Sequence, residues 1–225
     1  AAGAVTCDLA GISIIGLGEG AVRPTFTFSS TDNSATFLIT VASVKIKNIL
    51  GICGDDALTS AFVVSAADCE LDITWRDPTD IEAATCILTT ADADRLKIKL
   101  KYEGYTGGNA CVTPISLIGV NECDINIDFF GKASTAVINM NTTLSSGVRI
   151  SGYFYNSGTT DLSKNVTATI GNSLWFVHGY DGAAGYSFSG GSAQAIAGDD
   201  VSLVESQATS IATGAVSLGT QTTAV

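Results

Sequence analysis

Arg95-Leu96-Lys97-Ile98-Lys99-Leu100-Lys101-Tyr102 alternates with a period of two. Leu96, Ile98, Leu100 and Tyr102 share one face, and Arg95, Lys97, Lys99 and Lys101 share the other, because successive side chains of an extended chain point to opposite sides. The stretch is therefore a strand buried on one face. Asp124-Ile125-Asn126-Ile127-Asp128-Phe129 repeats the pattern with acids outward. If the two strands are neighbours, the lysines meet Asp124 and Asp128 across the ladder, at about 0.2–1 kcal/mol for each opposite-charge pair. An edge strand guarded by lysines against pairing with another chain is the alternative.

Working outward, the same logic predicts strands at 9–15, 24–30, 35–43, 44–50, 61–66, 70–76, 84–90, 114–120, 134–141, 148–155, 164–170 and 173–178. They are rich in Val, Ile, Thr and aromatic residues and are punctuated by Gly, Asn, Asp and Ser. Helical spacing is nearly absent. One turn after Pro78, over 79–85, and a short helix over 203–212 are the exceptions. No internal repeat stands out. Many short strands with turn signals predict an all-β fold, a β-sandwich of jelly-roll or Ig-like type. A single sandwich domain over 16–225 is expected, preceded by an extended terminal strand over 1–15, with a possible subdivision near 124.

The net charge of −11 argues against nucleic acid as a partner, since phosphate binding needs clustered Lys and Arg. No stretch of 18 apolar residues predicts a membrane span. Only 15% of residues are charged and 46% are hydrophobic, so apolar surface must be hidden, and a subunit interface is one place to hide it. The six cysteines, Cys7, Cys53, Cys69, Cys86, Cys111 and Cys123, lack Cys-x-x-Cys spacing. An even count at irregular spacing predicts disulfides and an oxidising compartment. Cys69–Cys86 and Cys111–Cys123 would each staple neighbouring strands, leaving Cys7–Cys53; free buried thiols are the alternative. The chain starts Ala-Ala-Gly-Ala-Val without Met, as a trimmed, secreted product would.

Chemistry is sparse. His178 is the only histidine and lies in Leu-Trp-Phe-Val-His-Gly, with no Gly-x-Ser-x-Gly to support a triad. A strand end beside a glycine turn accounts for it more simply. No catalytic, cofactor-binding or metal residues are assigned, and an enzyme is not expected. Gly54-Asp55-Asp56, Gly198-Asp199-Asp200 and Asp92-Ala93-Asp94 offer calcium two carboxylates each, against the six to eight oxygens it needs. Acidic turns on a solvated rim are the commoner explanation. Asn141-Thr142-Thr143 and Asn165-Val166-Thr167 are N-glycosylation sequons. Trp75, Trp175, Tyr153, Tyr155, Tyr180 and Tyr186 are candidates for a sugar-binding platform, or for core and interface.

The weakly charged Ala1–Ile15 head, the 206–225 tail without any charge, the sandwich pattern between them and the sequons are similar in character to the archaeal extracellular filament subunits called threads and bundling pili. They resemble bacterial biofilm-matrix fibre proteins more remotely. That resemblance implies donor-strand complementation, in which one subunit's terminal strand fills a groove in the next and a homopolymer grows. Residues 1–15 would be the donor, with Val5, Cys7 and Leu9 facing the groove; the tail is the second candidate. Adhesion or biofilm cohesion would follow. A viral capsid or surface-layer sandwich and an exported carbohydrate-binding module are the alternatives.

Overall fold

A computed structural model describes residues 3–29, 34–104 and 110–156, and the strands at 166–170, 174–177 and 194–197. In chain order the strands are Val5–Cys7 (β1), Ser13–Ile15 (β2), Thr25–Phe28 (β3), Phe37–Ile39 (β4), Lys45–Cys53 (β5), Phe62–Val64 (β6), Glu70–Arg76 (β7) and Thr85–Thr89 (β8). They continue with Lys97–Glu103 (β9), Thr113–Ser116 (β10), Asp124–Gly131 (β11), Ile138–Ser145 (β12), Arg149–Asn156 (β13), Val166–Ile170 (β14), Leu174–Val177 (β15) and Gln194–Ala197 (β16). Every pairing between them is parallel. One sheet runs β1-β4-β6-β8-β10-β12-β14, and the other runs β16-β15-β13-β11-β9-β7-β5-β2, with β3 also on β5.

The architecture is a β-solenoid, and the expected β-sandwich is wrong. A sandwich of hairpins needs antiparallel neighbours, whereas here each turn of the chain lays one strand on each sheet and returns one rung higher. Lys45, Glu70, Lys97, Asp124 and Arg149 stand in register on successive rungs, at steps of 25, 27, 27 and 25 residues. That ladder runs unbroken through position 124. The predicted turn over 79–85 is not helical; it contains Asp80 at positive φ and leads into β8. No α-helix occurs among the described residues. The helix expected over 203–212 lies outside them.

One corner defines the coil. Gly11, Ser43, Asp68, Arg95, Glu122 and Gly147 all have φ between 54° and 74°. The first five each donate a backbone N–H to a carbonyl one rung up, at 2.8–3.1 Å: Gly11 to Ala42, Ser43 to Ala67, Asp68 to Asp94, Arg95 to Asn121, Glu122 to Ser146. Stacking thus gives the turn's backbone donor a partner on the next rung. The next residue points inward, giving the column Val44, Cys69, Leu96, Cys123 and Val148. The residue after that points outward and begins the charged ladder.

Inside, like packs on like. Ile46, Leu71, Ile98, Ile125 and Ile150 form one column, and Phe37, Phe62, Ile87, Ile115 and Ile138 form another on the facing sheet. Each such side chain contributes about 1.5–3 kcal/mol when fully buried. A third column is Gly51, Trp75, Tyr102 and Phe129. A Cβ on Gly51 would sit 2.5 Å from the Trp75 ring, so the column can start its run of rings only from a glycine. Phe28 and Phe62 close on Trp75 with ring centroids 5.3 and 6.3 Å away.

Outside, β9 is a central strand and not an edge. Lys97, Lys99 and Lys101 lie between an acid-bearing rung on either side, with Glu70 and Asp72 on β7 and Asp124 and Asp128 on β11. The ion pairs here include Lys47–Glu70 (2.7 Å), Lys99–Asp72 (3.5 Å), Lys101–Glu103 (2.8 Å), Arg76–Glu103 (2.7 Å) and Arg149–Asp124. The expected Lys–Asp neighbours are in register, but Asp124 chooses Arg149. Such exposed pairs are worth little each, so they keep the face soluble more than they hold the fold.

Candidate functional site

Two places stand apart from this regular ladder: a polar node inside the coil, and the open first coil. The node is built around Asp77, which follows β7 and turns its carboxylate inward at 6% exposure. Trp75 Nε1 donates to its Oδ1 at 2.7 Å, Ala83 N donates to the same oxygen at 3.3 Å, and the Tyr102 hydroxyl donates to Oδ2. Burial pushes the Asp77 carboxyl up to about 6, against the pull of those three donors. Glu82 lies close enough to add to the rise.

The thiols are the second correction. All six cysteines are buried and free, so Cys7–Cys53, Cys69–Cys86 and Cys111–Cys123 are not bridged. The physical reason is phase. Spatial neighbours in this coil are one full turn apart in sequence, whereas the expected partners sit on different sides of it. Cys69 opens onto β7 of one sheet while Cys86 lies in β8 of the other. Cys7 and Cys53 likewise belong to opposite sheets, and Cys111 bridges to Ala133 on the connecting side while Cys123 precedes β11. Cys69 and Cys123 alternate in their column with Val44, Leu96 and Val148, and Cys7 stands in register with Ile39, as small apolar residues do. Burial raises every one of them: Cys53 to about 12, Cys123 to about 11, Cys86 and Cys111 well above the ordinary value, and Cys7 and Cys69 in the same direction. Protonated, enclosed thiols are poor nucleophiles. The native protein is expected to release little colour with a thiol-specific disulfide reagent at pH 8, and all six equivalents in guanidinium without reductant. Fewer than six equivalents in denaturant would reveal bridges.

The open first coil comprises β1, β2 and β3. β1 is hydrogen-bonded to β4, and β2 and β3 are both hydrogen-bonded to β5; among the described residues none of the three has a strand on its other side. Between β2 and β3 the chain makes an excursion that Asn48 pins: its Nδ2 donates to Gly16 O and Gly18 O, both at 2.9 Å. Arg23 returns the excursion to the body by donating to Thr74 Oγ1 at 2.6 Å. Val5, Leu9, Ile15, Leu17, Val22 and Phe26 of this coil are all exposed, Leu17 by 82%. Where later rungs carry Lys45 and Lys47, this coil carries Ser13 and Ile15. No charged residue occurs in the three strands.

The expected donor residues fall here. Val5–Cys7 pairs with Phe37–Ile39 of its own chain, with Cys7 inward and Val5 and Leu9 exposed. Sequence reading missed Leu17 and Val22, whose neighbours look like an ordinary turn, the exposure of Phe26 within the strand predicted at 24–30, and Asp77, whose only mark is its place two residues after Trp75. Asn141 lies in β12; Asn165, His178, Tyr180, Tyr186 and the 198–200 turn lie outside the described residues. Trp75 is core, while Tyr153 is 47% exposed. Asp55 accepts from Ser29 Oγ and Asp94 from Asn121, and among the described residues no group of three or more His, Cys, Asp or Glu is placed to hold a metal ion. No helix of the described residues is long and apolar enough to cross a membrane. Comparisons with family models, with curated proteins and with solved structures find no match to this chain.

Proposed function

We propose that the chain is a structural subunit that polymerises head-to-tail into an extracellular filament, serving adhesion or cohesion between cells. The observation that carries this reading is the open first coil: strand edges without a partner among the described residues, no charge within the three strands, and six exposed apolar side chains. Edge strands normally carry lysine, proline or a bulge that forbids pairing with another chain. These carry none, although lysines are plentiful on the rungs above them. Strand donation belongs to a sandwich with a missing strand and has no counterpart in a solenoid. End-on stacking replaces it, with the first coil of one copy seated on another copy and the ladder carried across the junction. Such a contact is head-to-tail and does not close, so it grows a fibre. The two sequons and the sparsely charged surface support a place outside the cell.

The test alters the edge while preserving the coil. Ile15→Glu extends the charged ladder opposite Lys47, and Val5→Lys places a charge on β1. Wild-type chain at rising concentration is expected to form long particles by negative-stain microscopy and light scattering. The double variant, with an unchanged circular dichroism spectrum, is expected to raise the concentration needed by at least about tenfold, as the loss of one 1.4 kcal/mol contact would. A wild type that stays monomeric, or fibres indifferent to both substitutions, would overturn the reading.

A further inference from the structure

We infer that the outer face of the second sheet carries a binding platform for a neutral, hydroxyl-rich glycan, centred on Phe130, Tyr153 and Asp128. The site goes beyond the filament reading and does not depend on it. Phe130 and Tyr153 are among the few large apolar side chains exposed outside the first coil, at 53% and 47%. They lie on adjacent rungs: Tyr153 is in register with Asp128, and Phe130 follows two residues along the same strand as Asp128. The rings are thus offset by one rung, about 5 Å, and by two residues, about 7 Å, on rigid backbone. With Lys101 and Glu103 they line an open cleft of about 600 Å³.

The polar groups around the rings select the ligand. Lys101 stands in register with Asp128 on the next strand, yet its ammonium pairs with Glu103 at 2.8 Å. Glu103 is held on its other oxygen by Arg76 at 2.7 Å. Asp128 makes no ion pair among the described residues, and it is exposed. A cationic ligand would find the carboxylate and the rings but also Lys101 and Arg76. An anionic ligand would meet Asp128 directly. A neutral sugar escapes both penalties. Its C–H face covers an aromatic ring, its hydroxyls donate to Asp128, and its oxygens accept from Lys101 and the Tyr153 hydroxyl. The cleft is open along the sheet, which suits a chain of sugars lying across the rungs better than an enclosed small molecule.

The experiment uses the full chain against soluble neutral oligosaccharides of glucose, mannose and N-acetylglucosamine, with oligolysine and oligogalacturonate as charged controls, read by titration calorimetry and ligand-observed NMR. At least one neutral series is expected to bind, with affinity unchanged in 0.5 M salt. Tyr153→Ala and Phe130→Ala should each weaken it about tenfold or more, and Asp128→Asn about threefold. Tyr153→Phe should retain most of the affinity, which separates ring stacking from a loss of fold. Absence of binding to every neutral series, binding unaffected by Tyr153→Ala and Phe130→Ala in folded protein, or a preference for oligolysine or oligogalacturonate would each overturn the assignment.

Discussion

Asp77→Ala is expected to cost about 3–5 kcal/mol, because it strips the acceptor from Trp75 Nε1, Ala83 N and the Tyr102 hydroxyl at once and each orphaned buried donor costs about 1–3 kcal/mol. Asp77→Asn keeps an oxygen for Trp75 and Ala83 and should cost far less. The pair also separates hydrogen bonding from charge. Folded Asp77 titrates at about 6, above the ordinary 3.8, so the folded state keeps a proton that the unfolded chain has released. Stability from this group is therefore fully present below about pH 4 and is lost as pH rises through 6, by about 3 kcal/mol in all. Asp68 and Glu70 run the other way. The Arg95 and Lys47 hydrogen bonds lower them, so their contribution is present above the usual carboxylate range and is lost on acidification. Those groups are common to wild type and Asp77→Asn and cancel in the difference. Urea midpoints at pH 4, 6 and 8 should show wild type losing ground to Asp77→Asn as pH rises. A difference that is flat with pH would mean the carboxylate is not enclosed as described.

Phe62→Ala should be equally damaging, at about 3–5 kcal/mol. Phe62 is fully buried where the two sheets face each other, with the rings of Phe28, Phe37 and Trp75 at 5.1, 6.1 and 6.3 Å. Three rings from three rungs meet on it, so the cavity cannot be closed by moving one neighbour. Phe62→Leu, which refills most of the volume, should cost about 1.5 kcal/mol or less. In a solenoid each coil touches only its neighbours, so the loss should also be local. Hydrogen exchange of Phe62→Ala is expected to quicken in β4, β6 and β8 while β11 and β13 keep their protection. Uniform loss of protection out to Ile150 would show that the coils fold as one cooperative block.

The strands were legible because alternation is a local property. Leu96 to Tyr102 and Ile125 to Phe129 place their apolar faces inward as the period of two predicts, and the lysine and aspartate strands are neighbours. The direction of pairing was not legible, because parallel and antiparallel strands alternate alike. The corner is held by glycine only in the coils of Gly11 and Gly147; the four between them use Ser43, Asp68, Arg95 and Glu122 at positive φ, so no repeated glycine marks it in the sequence. Nor does the repeat keep a constant length. Phe37, Phe62, Ile87, Ile115 and Ile138 are one column separated by 25, 25, 28 and 23 residues, with chemistry conserved only as apolar. The open edge was half legible: the weakly charged head was plain, but Leu17 and Val22 became surface only when the excursion was seen to leave the coil, and Phe26 only when β3 was seen to lie on the open edge of β5.

By itself the chain's residue order determined an all-β protein, the place of nearly every described strand, and the face that β9 and β11 bury. Only the tertiary structure decided that those strands wind in parallel, that the cysteines are buried free thiols, and that Asp77 is enclosed by Trp75 and Tyr102. The reason is the range of the forces. Alternation and turn chemistry act between residues a few positions apart, whereas stacking joins residues one whole coil apart, and that distance is set by how the rungs pack.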